Sequence, residues 1–238
     1  MIRAGFASDK HNAISCYKVT DAGTMACGFM LAGFGTKPPA GVICDDGIQK
    51  CVDFAAVQLQ RAFQNLSDKQ CEDFEVVKTF LGKQLDRISA CTAIFSRGIG
   101  QGIYLAGTVL YVIGEHYICL PFGGAYACIA DTKNILSVLR NKATIEGDHY
   151  VRDALGGRQT FPYIFEEGRL RDGQHLLCMT QAPSDDLLNS IIPTLDKADL
   201  KMASYAIYTG MDSQIVPVAV QIVSQAGVPV ISGGAFDV

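Results

Sequence analysis

The chain has 238 residues, 49% of them apolar and 18% charged, with a formal charge of −4. That length and apolar share suffice to bury a full core and exclude a disordered tail. Lys and Arg are scattered without a basic run, so neither nucleic acid nor an anionic membrane is an expected partner.

Nine cysteines occur without a Cys-x-x-Cys pair or a His at zinc-ligand spacing. They read as reduced, buried thiols. The start, Met1-Ile2-Arg3-Ala4-Gly5-Phe6, lacks the apolar core of a signal peptide. The most apolar stretch, 102–120, is cut by Glu115 and His116 and suits strands better than a membrane span. The cytoplasm is the expected compartment.

In chain order, hairpins come first. The Gly-punctuated run 25–34 predicts a buried strand. After the turn Gly35-Thr36-Lys37-Pro38-Pro39, Asp45 or Asp46 can cap a helix over 45–63, with Val52, Ala55, Ala56 and Leu59 at helical spacing. A second amphipathic helix is predicted over 69–85, where Phe74, Val77, Phe80 and Leu81 share a face. The segments 92–95, 102–108, 109–114 and 116–121 predict an antiparallel meander. A short helix is predicted over 132–141, and Ser184 can cap another running to about Ile192. The segment 216–223 predicts a closing strand. Hairpins grouped between helices point to a single α+β domain over 1–238.

Six stretches carry a family resemblance. His11-Asn12-Ala13-Ile14-Ser15 stands for Asn-Asn-Glu-Asp-Ser, and Leu31-Ala32-Gly33-Phe34-Gly35 for Ala-Asp-Gly-Met-Gly-Gly. Cys91-Thr92-Ala93-Ile94 is similar to a Gly-Ser-Thr-Ala strand start, and Leu110-Tyr111-Val112-Ile113-Gly114-Glu115 to a shortened Leu-Tyr-Val-Ala-Asn-Val-Gly-Asp-Ser. Ala154-Leu155-Gly156 echoes Thr-Arg-Ala-Leu-Gly, followed by Gly173-Gln174-His175-Leu176-Leu177-Cys178-Met179-Thr180-Gln181 where Gly-Asp-x-Leu-Leu-Leu-Cys-Ser-Asp-Gly would stand. In this order they resemble the bacterial PP2C (PPM) metal-dependent Ser/Thr protein phosphatases. The resemblance implies a four-layer α/β/β/α sandwich of two antiparallel sheets flanked by helices.

Catalysis in such a site uses two divalent cations held by carboxylates, which activate a water for in-line attack on phosphorus. Transferred by resemblance, the N-terminal aspartate position is Ile14, beside Asn12, and the bridging aspartate is Ala32, with Gly33 keeping only its carbonyl. The aspartate after the apolar strand is Thr180, and the phosphate-binding arginine falls at Asp9. Asp212 alone keeps a ligand position, read as vestigial.

Each surviving feature has a plainer structural reading. Asp212 can open a turn before the last strand, Asp45 or Asp46 can cap a helix, and Asp185 and Asp186 suit the helix that Ser184 caps. His11 can hydrogen-bond a loop, while His116, His149 and His175 lie in different predicted elements. Gly98-Ile99-Gly100-Gln101-Gly102 lacks the Lys-Ser/Thr of a P-loop and reads as a hairpin turn.

The expectation is a pseudophosphatase that acts by binding in bacterial signalling, with no catalytic residues and no cofactor. Its expected partner is a protein, either a Ser/Thr kinase or a phosphoprotein. Two alternatives stand beside it. One is a weakly active phosphatase holding Mg or Mn loosely in a site rebuilt from Asp212, Asp185, Asp186, Asp45 or Asp46. The other is an assembly subunit with an interface at the apolar tail 227–231.

Overall fold

The computed structural model describes residues 2–8, 12–20, 23–36, 44–139, 145–146, 150–151, 154–157, 163–195, 200–211 and 218–225. The chain opens with β1 (Ile2–Ser8), β2 (Asn12–Thr20) and β3 (Gly23–Gly35). Three helices follow, α1 (Asp45–Asn65), the short α2 (Asp68–Cys71) and α3 (Phe74–Ile99). Next come β4 (Ile103–Ile113), β5 (His116–Phe122), β6 (Tyr126–Ala130) and β7 (Ile135–Leu139), then the small pair β8 (Ile145–Glu146) and β9 (Tyr150–Val151). The remainder is β10 (Glu166–Arg169), β11 (His175–Met179), α4 (Asp185–Ile191), α5 (Leu200–Gly210) and β12 (Ala219–Gln225).

Two five-stranded sheets form, and every strand pairing in them is antiparallel. Sheet I runs β10-β5-β4-β3-β2 and sheet II runs β1-β12-β11-β6-β7. Period-2 alternation sends Cys27, Phe29 and Leu31 of β3, with Leu105, Val109 and Tyr111 of β4, outward onto Val52, Leu59, Phe63, Leu81 and Leu85 of α1 and α3. The intervening residues Met30, Leu110, Val112 and Cys119 meet Ala127, Ile129, Leu176 and Cys178 of sheet II. The hydrogen bond with the neighbouring Cys178 thiol, together with burial, pushes the Cys119 thiol well up. The other face of sheet II packs Cys128, Leu177, Met179, Val220 and Ile222 against α4 and α5. The result is the expected α/β/β/α stack.

Several local expectations hold. Helix α1 is present as expected and starts at Asp45, but neither Asp45 nor Asp46 caps it: both lie in its first turn, and Cys44 occupies the cap position with no side-chain cap. Ser184 caps α4 by accepting from the Leu187 N–H at 3.3 Å.

Others are corrected. The segment 92–95 is helical, because α3 continues to Ile99 and turns Ser89, Thr92 and Ser96 inward as one buried stripe at helical spacing. The Ser96 hydroxyl accepts from the Ile103 N–H at 3.0 Å, which fixes the start of β4. Tertiary placement here overrides the β-propensity of Thr92 and Ile94. The expected hairpin at 98–102 is instead the C-cap of α3, with Gly100 in the left-handed region at φ 68°. The expected strands 102–108 and 109–114 are one strand, β4, and the helix predicted over 69–85 is the pair α2 and α3.

The predicted helix over 132–141 is the strand β7. Asp131 accepts from the N–H groups of Lys133 and Asn134 at 2.7 and 2.8 Å, making a side-chain turn that folds β7 back onto β6.

Candidate functional site

Of the implied metal positions, Ile14 and Ala32 lie in sheet I and Thr180 follows β11 of sheet II. At the close of β3, Ala32 pairs with Asn12 of β2 on one side and Ala106 of β4 on the other, and Ile14 pairs with Met30. The β2 register shifts between Ile14 and Cys16. In sheet II, Met179 at the end of β11 pairs with Tyr126 and Val220, so Thr180 leaves the sheet at that edge.

The two edges are joined by Phe122-Gly123-Gly124-Ala125-Tyr126, which passes from β5 in sheet I to β6 in sheet II. Gly123 and Gly124 take φ of 65° and 83°. A Cβ at Gly123 would lie 2.7 Å from the Ala106 Cα, so this crossing needs glycine on steric as well as conformational grounds.

Position 32 faces into the sandwich, and its surroundings are apolar. Ala32, Phe34, Ala106 and Ala154 form a buried cluster against Tyr104. The Phe34 and Tyr104 rings stack with centroids 5.6 Å apart. Ala154 is held there by its neighbours. Leu155 exchanges N–H to C=O hydrogen bonds of 3.0 Å in both directions with Leu105, and the Gly156 N–H donates to the Ser89 hydroxyl at 3.0 Å. Thr180 is 0% exposed and supplies a neutral hydroxyl.

Gly33 faces the other way. A Cβ there would come within 2.6 Å of both Ile48 and Val52, so α1 lies directly on it. Asp45 and Asp46 begin that helix, exposed and on the opposite face of sheet I from Ala32. Asp185 and Asp186 are exposed in the first turn of α4.

Asp9, Asp212, His11, His149 and the tail 227–231 lie outside the described residues. His116 is exposed at the start of β5, with its ring 6.3 Å from that of Phe74, and His175 is buried in β11.

A dication pair needs several carboxylate oxygens in the first coordination sphere. The described side chains at this edge offer methyl groups, the Phe34 ring, the Tyr104 phenol and the Thr180 hydroxyl, with no carboxylate among them, a donor set that does not fit Mg or Mn. No group of three or more His, Cys, Asp or Glu placed to hold a metal occurs among the described residues.

Beside the apolar cluster lies an open cavity of about 470 Å³ whose lining includes Arg97, Gln101, Tyr104, Gly156 and Gly157. Gln101 fixes its floor, its Oε1 accepting from the Cys44 N–H at 2.8 Å. Thr36 donates its N–H to the Gly102 carbonyl at 2.9 Å, tying β3 to the start of β4.

Sequence reasoning missed Ala106 and the Gly123-Gly124 crossing. The Gly-Gly pair after Pro121-Phe122 was its available signal, but the Gly-Asp-Ser motif was sought at Gly114-Glu115, which forms the β4–β5 hairpin turn instead.

No family model matches the sequence, and no curated protein does. Solved structures match the fold. The S. agalactiae serine/threonine phosphatase superposes over 94% of this chain and 99% of its own, with a TM-score of 0.74 at 11% identity. Stp1 from Staphylococcus aureus gives 0.71 at 13% identity over 95% of this chain and 96% of its own. The catalytic domain of PstP, in complex with two manganese ions, gives 0.62 at 13% over 94% and 99%. The chain has the fold of the bacterial PP2C-type Ser/Thr phosphatases. No helix among the described residues is long and apolar enough to cross a membrane.

Proposed function

We propose that this chain is a pseudophosphatase, one PP2C-like domain over 1–238 that regulates bacterial cytoplasmic signalling by binding rather than by turnover. The observation that carries the reading is Ala32, buried among Phe34, Ala106 and Ala154 where the resemblance puts the carboxylate bridging two metals. Replacing that carboxylate by a methyl group removes both charge and ligand atoms from between two dications, and Ile14 and Thr180 remove more of each. A cleft relieved of that negative charge suits an anionic protein segment, so the partner is a Ser/Thr kinase or a phosphoprotein.

The competing reading, a weakly active phosphatase, draws support from the manganese-bound PstP relative of the fold. Calorimetric titration with manganese, run beside p-nitrophenyl phosphate turnover, separates the two. The expected result is no saturable metal binding and no metal-dependent hydrolysis at millimolar manganese. Hydrolysis that requires manganese and disappears in Asp212→Ala would overturn the proposal.

A further inference from the structure

The outer helical layer carries a cluster of polar side chains that the phosphatase resemblance does not use. Helices α1 and α3 run antiparallel. Near the start of α1, a Cβ at Gly47 would touch Ile99 of α3 at 3.1 Å. Further along, α1 presents Gln58, Arg61 and Asn65 at helical spacing, and α3 presents Phe80, Gln84 and Arg87. Together they line a notch of about 350 Å³ floored by the buried Ala62.

No carboxylate lines this notch. Asp86 is occupied on the other flank of α3, where it accepts from the Tyr163 hydroxyl at 2.9 Å, and Asp53 accepts from the Gln49 amide at 2.8 Å. The ion pairs found among the described residues belong to Lys78, with Glu75 and Glu167, so neither Arg61 nor Arg87 is in one. Both are exposed. Two guanidinium groups beside one notch repel each other unless an anion sits between them.

We propose that the α1–α3 notch binds the phosphate group of a phosphomonoester. Two planar donor forks and three amide side chains offer more N–H groups than one carboxylate can accept, whereas the terminal oxygens of a phosphate can take them. The notch lies on the opposite face of sheet I from Ala32, so it stands or falls independently of the metal-cleft reading.

Titrating the full chain at low ionic strength with inorganic phosphate, O-phospho-L-serine and AMP tests the site. The comparison is with the double variant Arg61→Gln/Arg87→Gln, whose folding is checked by circular dichroism. Binding should weaken by roughly tenfold or more in the double variant, since each removes charge-assisted hydrogen bonds. Added salt should weaken it in the wild type. Preference for O-phosphoserine would identify a phosphoprotein as the source of the group, and preference for AMP a nucleotide. Absence of binding for all three probes at millimolar concentration, or equal binding by the double variant, overturns the assignment.

Discussion

On one face of β3, Cys27, Phe29 and Leu31 press into α1 and α3, and Gly33 lets Ile48 and Val52 approach within van der Waals contact. On the other face of the same strand, Ala32 clusters with Phe34, Ala106 and Ala154 against Tyr104, with a glycine crossing packed on Ala106. Large, interdigitated side chains on the first face set where the helices sit, and packing of that kind tolerates little change. On the proposed reading, small residues on the second face stand where the resemblance puts a metal-bridging carboxylate. The helix-facing side of β3 thus carries the packing of the sandwich, and under the proposed pseudophosphatase reading the other side carries no metal, which separates what the fold needs from what the phosphatase chemistry needs.

The sharpest way to break that contrast is to put the carboxylate back. Ala32→Asp buries an unpaired charge in an apolar cluster and should cost about 3–5 kcal/mol at neutral pH, read from the urea midpoint with a chelator present. Burial raises the folded-state pKa of the new carboxyl above its unfolded value of about 4. The variant should therefore be least penalised below that pH, and the penalty should grow as pH rises through the raised value. Recovery of the midpoint on adding manganese would show that the remaining acidic residues can still complete a metal site.

A smaller loss is expected on the scaffold side. In Gly107→Ala the new Cβ would land on the Met30 carbonyl oxygen and 3.1 Å from the Leu31 Cα, both backbone atoms of the neighbouring strand. Urea unfolding should show a loss of about 1–3 kcal/mol. Smallest of the three is Gly100→Ala at the C-cap of α3, where nothing lies within 4 Å of an added Cβ and only the φ of 68° is at stake. About 1 kcal/mol is expected from the same measurement, and a much larger loss would mean that this cap also supports the Gln101 contact beside the cleft.

The layers were legible because apolar alternation in β3 and β11 and helical spacing in α1 survive in the sequence whatever the cleft contains. Ser184 announced α4 through its capping chemistry. The end of α3 was hidden because Thr92 and Ile94 favour strands locally, and only the buried spacing of Ser89, Thr92 and Ser96 betrays the helix. In the candidate site, Ala32 and Thr180 were singled out by the order of motifs, which also carried the Ala-Leu-Gly run without giving Ala154 a role. Ala106 was not singled out, since a small residue earns its place there only through what it touches across the strand.

The crossing from Phe122 to Tyr126 has a kinetic consequence. It spans the two sheets with only Gly123, Gly124 and Ala125 between strand ends, so docking sheet II on sheet I at this corner closes a very short loop. The pairing of β1 with β12, by contrast, joins residues more than two hundred positions apart. Contacts of low sequence separation form at the smallest entropic cost, so the β4–β5–β6 corner is the expected nucleus and the β1–β12 pairing a late event in folding. The place where a phosphatase would do its chemistry would then be among the first parts of this molecule to take shape.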